Sequence, residues 1–554
     1  ASLMARLDRL GAAAREVAQT AAAIGREFSY ELVTAVAARG EAETRAALDQ
    51  LVAAGLVFQR GTPPSADYQF KHALVQDTAY GTLLRGSRQA LHARIAAAIE
   101  SHAPDRVERE PEMLAHHLAE AGAAPRAALY WRKAGEQAVR RAANREAIGH
   151  FRRALAVVEA GPEGEERWRE ELAILSQLAP PVMAVHGWSA PEAGEIVERA
   201  AEIGRRLPSS RDIAPAVANL WLFNSARGRV DRAAEIAADL FRMARALDDR
   251  GILLQAHHCS WATRFFQSRF GETGEHIAAA AQLYDEVRHA HHRHVYLGHD
   301  PGVCRLDFAA CLANVVGRPD EARRLAEEAL VLARRLNHAA SHAIALWRAC
   351  EVYAVQSEPD AGRMYARELL SLADAAGLST PKFYGAAFLG WAEVRLGELE
   401  QGLARLEEAY RLLRRLGAHI HATLLLGLWA EALASAGRYE EGLRQAEEAL
   451  EATSHGEMTY IARLYRTRST VVRHLRGARD PQVEADLQRS FAIAREQQAR
   501  GWEIGAATDL ARLWAEQGRR AEAYELLAPV FAAFTEGFDA PDLQQAKALL
   551  DELG

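Results

Sequence analysis

The sequence predicts a mostly α-helical protein, an α-solenoid of helix pairs preceded by a small domain with one β-hairpin. Three observations indicate this fold class: segments that return every 40 residues, apolar residues at helical spacing along most of the chain, and two short strand-like runs near its start. We expect the small domain at 1–105, connecting helical hairpins at 106–160, and the solenoid with a C-terminal capping helix at 161–554.

The small domain begins with three predicted helices, at residues 3–24, about 30–38 and 41–54. LVFQR (56–60), the turn GTPPSAD (61–67) and YQF (68–70) follow as strand, loop and strand. Three helices and a hairpin are the pattern of a winged helix. Tyr68, Phe70 and Leu74 are expected in its core, and His72 lies where the second strand meets the next helix.

Charge argues against nucleic acid as a partner. The third helix would read DNA in a winged helix, yet it carries Glu41, Glu43 and Asp49 against Arg45. The whole chain has a net charge of −7, which gives no general attraction to phosphates.

The repeats begin at six positions spaced 40, 40, 40, 40 and 41 residues apart: Gly317, Ser357, Gly397, Gly437, Gly477 and Gly518. Small residues precede each start by seven positions, as Gly390 precedes Gly397, and follow five of the six starts by five positions, as Gly402 does. Small side chains let two antiparallel helices approach closely, and glycine at the turn suits a left-handed helix end.

This pattern resembles the tetratricopeptide repeat, stretched from its usual length of about 34 residues. Stacked pairs of this kind build a long concave wall. We therefore expect a protein or peptide effector on the concave face, although the sequence does not identify the residues that bind it.

No motif of an enzyme is present: GxxxxGK[ST], GxGxxG, HExxH, GxSxG and the EF-hand pattern are all absent from the sequence. We therefore predict a chain without catalytic residues. The residues interpreted as core are Trp347, Trp391, Trp429, Trp514, Cys304 and Cys311.

A cluster of histidines is the one candidate metal site, formed by His289, His291, His292, His294 and His299. We interpret it as a polar loop between repeats whose imidazoles face water, because its spacing matches no defined ligand scheme. The alternative is a metal-dependent enzyme built on these histidines.

Four cysteines in 554 residues indicate a reducing compartment. The amphipathic N-terminal stretch is no signal peptide, and the longest apolar run falls short of a membrane span. We expect a cytoplasmic protein without a membrane contact.

Several blocks resemble the region after the ATPase core of bacterial signal-transduction ATPases with numerous domains (STAND), which are often fused to a class III adenylate or guanylate cyclase. The blocks are IGREFSYELV (24–33), LDQLVAAGLVFQRG (48–61), FKHALVQDTAY (70–80), PEMLAHHLAEAG (111–122), GHDPGV (298–303) and FTEGFDAPDLQQAKALLDELG (534–554). The resemblance implies a non-catalytic regulatory region that couples an effector to an upstream P-loop domain. ATP or ADP would bind to that domain, and this chain would hold no cofactor.

The same resemblance gives His72 a role. Related ATPases carry a Met-His-Asp signature whose histidine touches the β-phosphate of ADP, and Lys71-His72-Ala73 stands in its place with only the histidine retained. The resemblance implies a nucleotide-state sensor acting in trans. A histidine that caps the following helix is the alternative for this residue, and a DNA-linked transcription regulator is the alternative for the chain.

Overall fold

The computed structural model describes residue 7 and residues 9–554. The predicted start of the first helix, residues 3–6, lies outside them. The chain forms two compact units, Ala1–Ala138 with Glu146–Ile174 and Val139–Arg145 with Leu175–Gly554. The predicted boundaries at 105 and 160 stay predictions.

A three-stranded antiparallel sheet organises the first unit, with strands β1 (Glu27–Ser29), β2 (Val57–Arg60) and β3 (Asp67–Phe70) in the order β1-β3-β2. The predicted hairpin pairs Val57 with Phe70, and the unpredicted β1 pairs Phe28 with Tyr68. The rings of Phe28 and Tyr68 stack with their centroids 5.6 Å apart. Tyr68 and Phe70 are buried as predicted, but the prediction for Leu74 is wrong, because its side chain is 65% exposed.

The helices as far as residue 186 lie before, between and after these strands along the chain. They are α1 (Gly11–Ile24), α2 (Tyr30–Val36), α3 (Glu41–Ala53), α4 (Ala73–Gly81), α5 (Arg85–His102), α6 (Pro104–Arg109), α7 (Pro111–Glu120), α8 (Ala124–Arg140), α9 (Asn144–Glu159) and α10 (Glu165–His186).

The second unit continues as consecutive antiparallel helices with short turns. They are α11 (Pro191–Arg206), α12 (Ala214–Ala226), α13 (Val230–Leu247), α14 (Arg250–Phe266), α15 (Phe270–Leu283), α16 (His292–Val295), α17 (Pro301–Val315), α18 (Pro319–Leu336), α19 (Ala339–Val355), α20 (Pro359–Ala376), α21 (Ser379–Arg395), α22 (Leu399–Arg415), α23 (Ala422–Ser435), α24 (Tyr439–Ala452), α25 (Ile461–Arg476), α26 (Pro481–Glu496), α27 (Arg500–Glu516), α28 (Arg520–Ala532) and α29 (Pro541–Leu553). Short 3-10 turns occur at Arg211–Ile213 and Thr453–His455.

From α12 to α28 these helices form pairs of the tetratricopeptide type, interrupted by the segment 284–300. The predicted small residues lie where the two helices of a pair approach most closely. A Cβ atom at Gly402 would lie 2.5 Å from the carbonyl oxygen of Gly390, which is less than any normal contact. The turns between paired helices use left-handed residues, such as Gly397 with a φ of 94°.

The pairs of the second unit coil tightly, so that helices about five repeats apart touch. The hydroxyl of Thr459 donates to the carbonyl of Phe265, 194 residues earlier, over 2.7 Å. The backbone N–H of Gly537 donates to Asp320 over 2.9 Å, across 217 residues. The periodicity of the sequence did not predict these contacts.

This coiling buries some first helices of the pairs almost all round, as in α19. Of the residues from Ser341 to Ala354 in α19, only His342 is not buried. Helices buried on all faces lack an amphipathic stripe. Among the described helices, none combines the length and the apolar composition that a membrane span needs.

Candidate functional site

His72 lies at the junction predicted from the sequence, between β3 and α4. Its backbone is extended, with φ −135° and ψ 136°, and it occupies the N-cap position of α4. The side chain is exposed and makes no capping hydrogen bond. The capping alternative therefore does not hold, and the imidazole is directed to solvent beside the first turn of a helix.

Three exposed apolar side chains lie near this junction along the chain. Phe58, Leu74 and Leu84 are 53%, 65% and 77% exposed. The ammonium group of Lys71 lies 5.2 Å from the centre of the Phe58 ring. One segment of the first unit thus offers aliphatic, aromatic and cationic groups together with His72.

A charged pair lies inside the second unit, on α19. The guanidinium of Arg348 donates to Glu351 over 2.6 Å, and the two residues are 4% and 2% exposed. The hydroxyl of Tyr460 donates to the other carboxylate oxygen of Glu351. Arg348 also stacks 4.4 Å from the ring of Phe308 and 4.5 Å from that of Trp347. Burial would lower the pKa of Arg348, but Glu351 together with Cys311 and Tyr460 outweighs this effect, and the pKa is raised.

A second buried carboxylate lies near this pair. Glu457 accepts the backbone N–H groups of His421 and Thr423 over 3.0 and 3.4 Å. Burial raises its pKa to about 7, although these hydrogen bonds act in the opposite direction. The interior of the coil therefore carries ionisable groups held away from water.

The interior leaves a cavity of about 40 Å³ beside Arg348, lined by residues that include Trp188, Trp221, Trp347 and His421. Such a volume holds about one to three water molecules. A peptide does not fit into it. At this level of the coil, the expected concave binding wall is replaced by packed side chains.

A larger hollow of about 470 Å³ opens on the outer side, along α18. Leu306, Val331 and Leu332 provide its apolar part, and Arg324 and Arg335 lie at its edge with two glutamates. Val331 is 58% exposed. The hollow thus combines apolar side chains with charges of both signs.

The histidine cluster does not face water as expected. His289, His292 and His299 are buried, whereas His291 is exposed and His294 is half-buried. The expectation is wrong for the three buried residues because the segment 284–300 folds inward between two helix pairs.

Four of the five histidines also have partners outside the cluster. His289 accepts the backbone N–H of Asp285, and His292 accepts the side-chain amide of Gln255. His294 contacts the ring of His338, with centroids 5.2 Å apart. Within the described residues, these five do not form a common ligand group; His299 instead meets His258 and Cys304.

Sequence reasoning missed Arg348, Glu351, His258 and Glu457. One signal could have indicated the first two, since ALWRACEVYAV (345–355) places an arginine and a glutamate within an otherwise apolar helix. Charged residues in such a helix are buried only when they are paired.

The chain has distant similarity to known proteins. No protein-family model matches the chain. An uncharacterised protein of Rhizobium meliloti, R02095, is 30% identical over 506 residues, which is 90% of this chain and 48% of that protein. The chain thus spans about half the length of this relative.

Solved structures of helical-repeat proteins resemble the chain at low identity. A chain of the APC/C hetero-tetramer Cut9–Hcn1 matches with a TM-score of 0.46 and 12% identity, and the match covers 87% of this chain and 92% of that one. A STAND protein with a tetratricopeptide-repeat sensor, PH0952 of Pyrococcus horikoshii, matches with a TM-score of 0.36 and 11% identity, covering 90% and 66%. The assignment to a tetratricopeptide-like repeat rests on the helix pairs of the chain itself.

Proposed function

We propose that this chain is the non-catalytic regulatory region of a longer signal-transduction ATPase of the STAND type. In this proposal its repeats bind a protein or peptide partner, and its first unit transmits that state to a nucleotide-binding domain. The observation that carries the proposal is the free, exposed imidazole of His72 at the start of α4. The twofold length of the Rhizobium meliloti relative supports the presence of further domains.

The topology of the first unit supports a winged-helix interpretation. Helix, strand, two helices and a hairpin follow one another, and β1 pairs with the second strand of the hairpin. The helix that would read DNA carries three carboxylates against one arginine, which favours a protein contact over a nucleic-acid contact.

His72 has the chemistry that a phosphate sensor needs. An imidazole N–H donates to a phosphate oxygen. The first backbone N–H groups of α4 point toward the N-terminal end of this helix, where His72 lies. Exposed Phe58, Leu74 and Leu84 would then be covered by the nucleotide-binding domain. An adenylate or guanylate cyclase as the output of the longer protein follows only from the sequence resemblance.

The partner of the repeats would bind on the outer side in this proposal. The hollow along α18 has more than ten times the volume of the interior cavity. Its apolar residues, bordered by charges of both signs, suit a peptide or protein segment that carries apolar side chains.

The test replaces His72 by alanine in the complete, longer protein. We expect ADP to dissociate faster and the output to rise without effector, because a phosphate contact of the closed state is removed. His102→Ala, a change at another exposed histidine of the first unit, is expected to leave ADP release unchanged. Unchanged ADP release in His72→Ala would contradict the sensor role.

A further inference from the structure

Three buried side chains from two helix pairs meet beside the interior cavity. His258 lies in α14, His299 precedes α17, and Cys304 lies in the first turns of α17. All three are buried, their ligand atoms lie within 4.8 Å of one another, and all three line the cavity of about 40 Å³.

The outer nitrogens of the two rings are held by fixed acceptors. His299 Nδ1 lies 3.0 Å from the carbonyl oxygen of Leu297, so this nitrogen carries the proton. His258 Nδ1 lies 3.2 Å from Oε1 of Gln255, whose amide nitrogen donates to His292. Each ring therefore directs the lone pair of Nε2 inward.

These two lone pairs face each other. The Nε2 atoms of His258 and His299 are 3.2 Å apart, and two acceptors at this distance need a cation between them. A metal ion satisfies both lone pairs without adding a proton.

The distances fit zinc. Two imidazole nitrogens, each about 2.0–2.1 Å from a tetrahedral zinc ion, are about 3.3 Å apart. The Nδ1–H groups that donate to a carbonyl and an amide oxygen are the usual outer support of zinc-binding histidines. Cys304 supplies a sulfur within the same group of ligand atoms, and a zinc ion deprotonates a thiol that coordinates it.

We propose that Nε2 of His258, Nε2 of His299 and the thiolate of Cys304 bind one zinc ion, with a water molecule from the cavity as the fourth ligand. The ion joins α14 to α17 and stabilises the interior of the coil. Arg348 lines the same cavity, and its charge is already balanced by Glu351.

A second group of histidines, in the first unit, is a weaker candidate. His92, His116 and His117 also come within 4.8 Å, but His116 is exposed. Both ring nitrogens of His92 are occupied, one by the hydroxyl of Tyr80 and the other by His117, each over 2.9 Å. No pair of free lone pairs converges there.

The experiment loads the full 554-residue chain with zinc, dialyses it against metal-free buffer and measures the retained metal by atomic absorption. We expect one zinc ion per chain. His258→Ala and His299→Ala lose it, whereas His257→Ala keeps it, because His257 pairs with His276 over 3.0 Å and is no ligand. Zinc that is lost on dialysis of the wild type, or retained equally by His258→Ala, would overturn the proposal.

X-ray absorption on the zinc-loaded wild type supplies a measurement that needs no variant. We expect one sulfur ligand at about 2.3 Å together with imidazole nitrogens at about 2.0–2.1 Å. With cobalt in place of zinc, the sulfur-to-metal charge-transfer band is expected to vanish in Cys304→Ala and to persist in Cys350→Ala, a change at another buried cysteine. A first shell without sulfur contradicts the site. The proposed function is unaffected by either outcome.

Discussion

Replacing Arg348 by methionine tests the buried charge pair on α19. Methionine keeps much of the volume and the apolar contacts with Phe308 and Trp347, but it removes the guanidinium that donates to Glu351 over 2.6 Å. The carboxylate of Glu351 is then left in the interior, where the hydroxyl of Tyr460 still donates to it. The change therefore isolates a charge without opening a large cavity.

The structure allows the size of the effect to be stated. Both residues are nearly inaccessible to solvent, so water cannot screen the charge that remains. Removing one partner of such a pair costs about 3–5 kcal/mol. Replacing both partners by apolar residues of similar volume is often neutral or stabilising, so Arg348→Met with Glu351→Leu is expected to recover most of the loss.

The assay is guanidinium unfolding of the full chain, followed by circular dichroism, for the wild type, both single variants and the double variant. The four free energies of unfolding form a double-mutant cycle, which measures the coupling between the two residues. A loss below about 1 kcal/mol in Arg348→Met, or a double variant as unstable as the sum of the singles, would refute the buried pair.

Two further changes test the packing and the interior charge. Gly402→Ala is expected to destabilise the second unit by about 1–2 kcal/mol, because overpacking against Gly390 exceeds the gain in helix propensity. The control Gly271→Ala changes a helical glycine with no neighbour within 4 Å and should be neutral or stabilising. Equal effects of the two changes in thermal unfolding would contradict the close approach. Burial raises the pKa of Glu457 from 4.5 to about 7. Between these pH values the folded state binds more protons than the unfolded state. The free energy of unfolding therefore falls as the pH rises through this window, by up to about 3 kcal/mol. Glu457→Gln removes this dependence, and a difference in unfolding free energy between wild type and variant that does not change from pH 4.5 to 7.5 would contradict the raised pKa.

The helix pairs could be predicted from the sequence because their determinants are local. Gly390 and Gly402 belong to one pair, and the spacing of small residues and turn glycines indicates where its helices touch. Contacts such as that of Thr459 with Phe265 could not be predicted. They depend on the small rotation between successive pairs, which accumulates over about five repeats and has no periodic signature.

The two candidate sites also differ in how much of each could be predicted from the sequence. His72 could be located because the strand and the helix on either side are adjacent in the sequence, but its missing capping bond and the exposure of Leu74 required coordinates. His258 and His299 are 41 residues apart and meet through the packing of two pairs. A histidine-rich segment therefore indicated only one of the two imidazoles that face each other.

Hydrogen exchange tests the proposed contact between this chain and a nucleotide-binding domain most directly. The 554-residue chain alone is compared with the proposed longer protein, loaded with ADP. We expect slower exchange of backbone amides at residues 71–84 in the complete protein, since a domain bound to ADP would cover His72, Leu74 and Leu84, while α18 exchanges equally in both. Equal exchange at residues 71–84 would contradict the proposed regulatory contact.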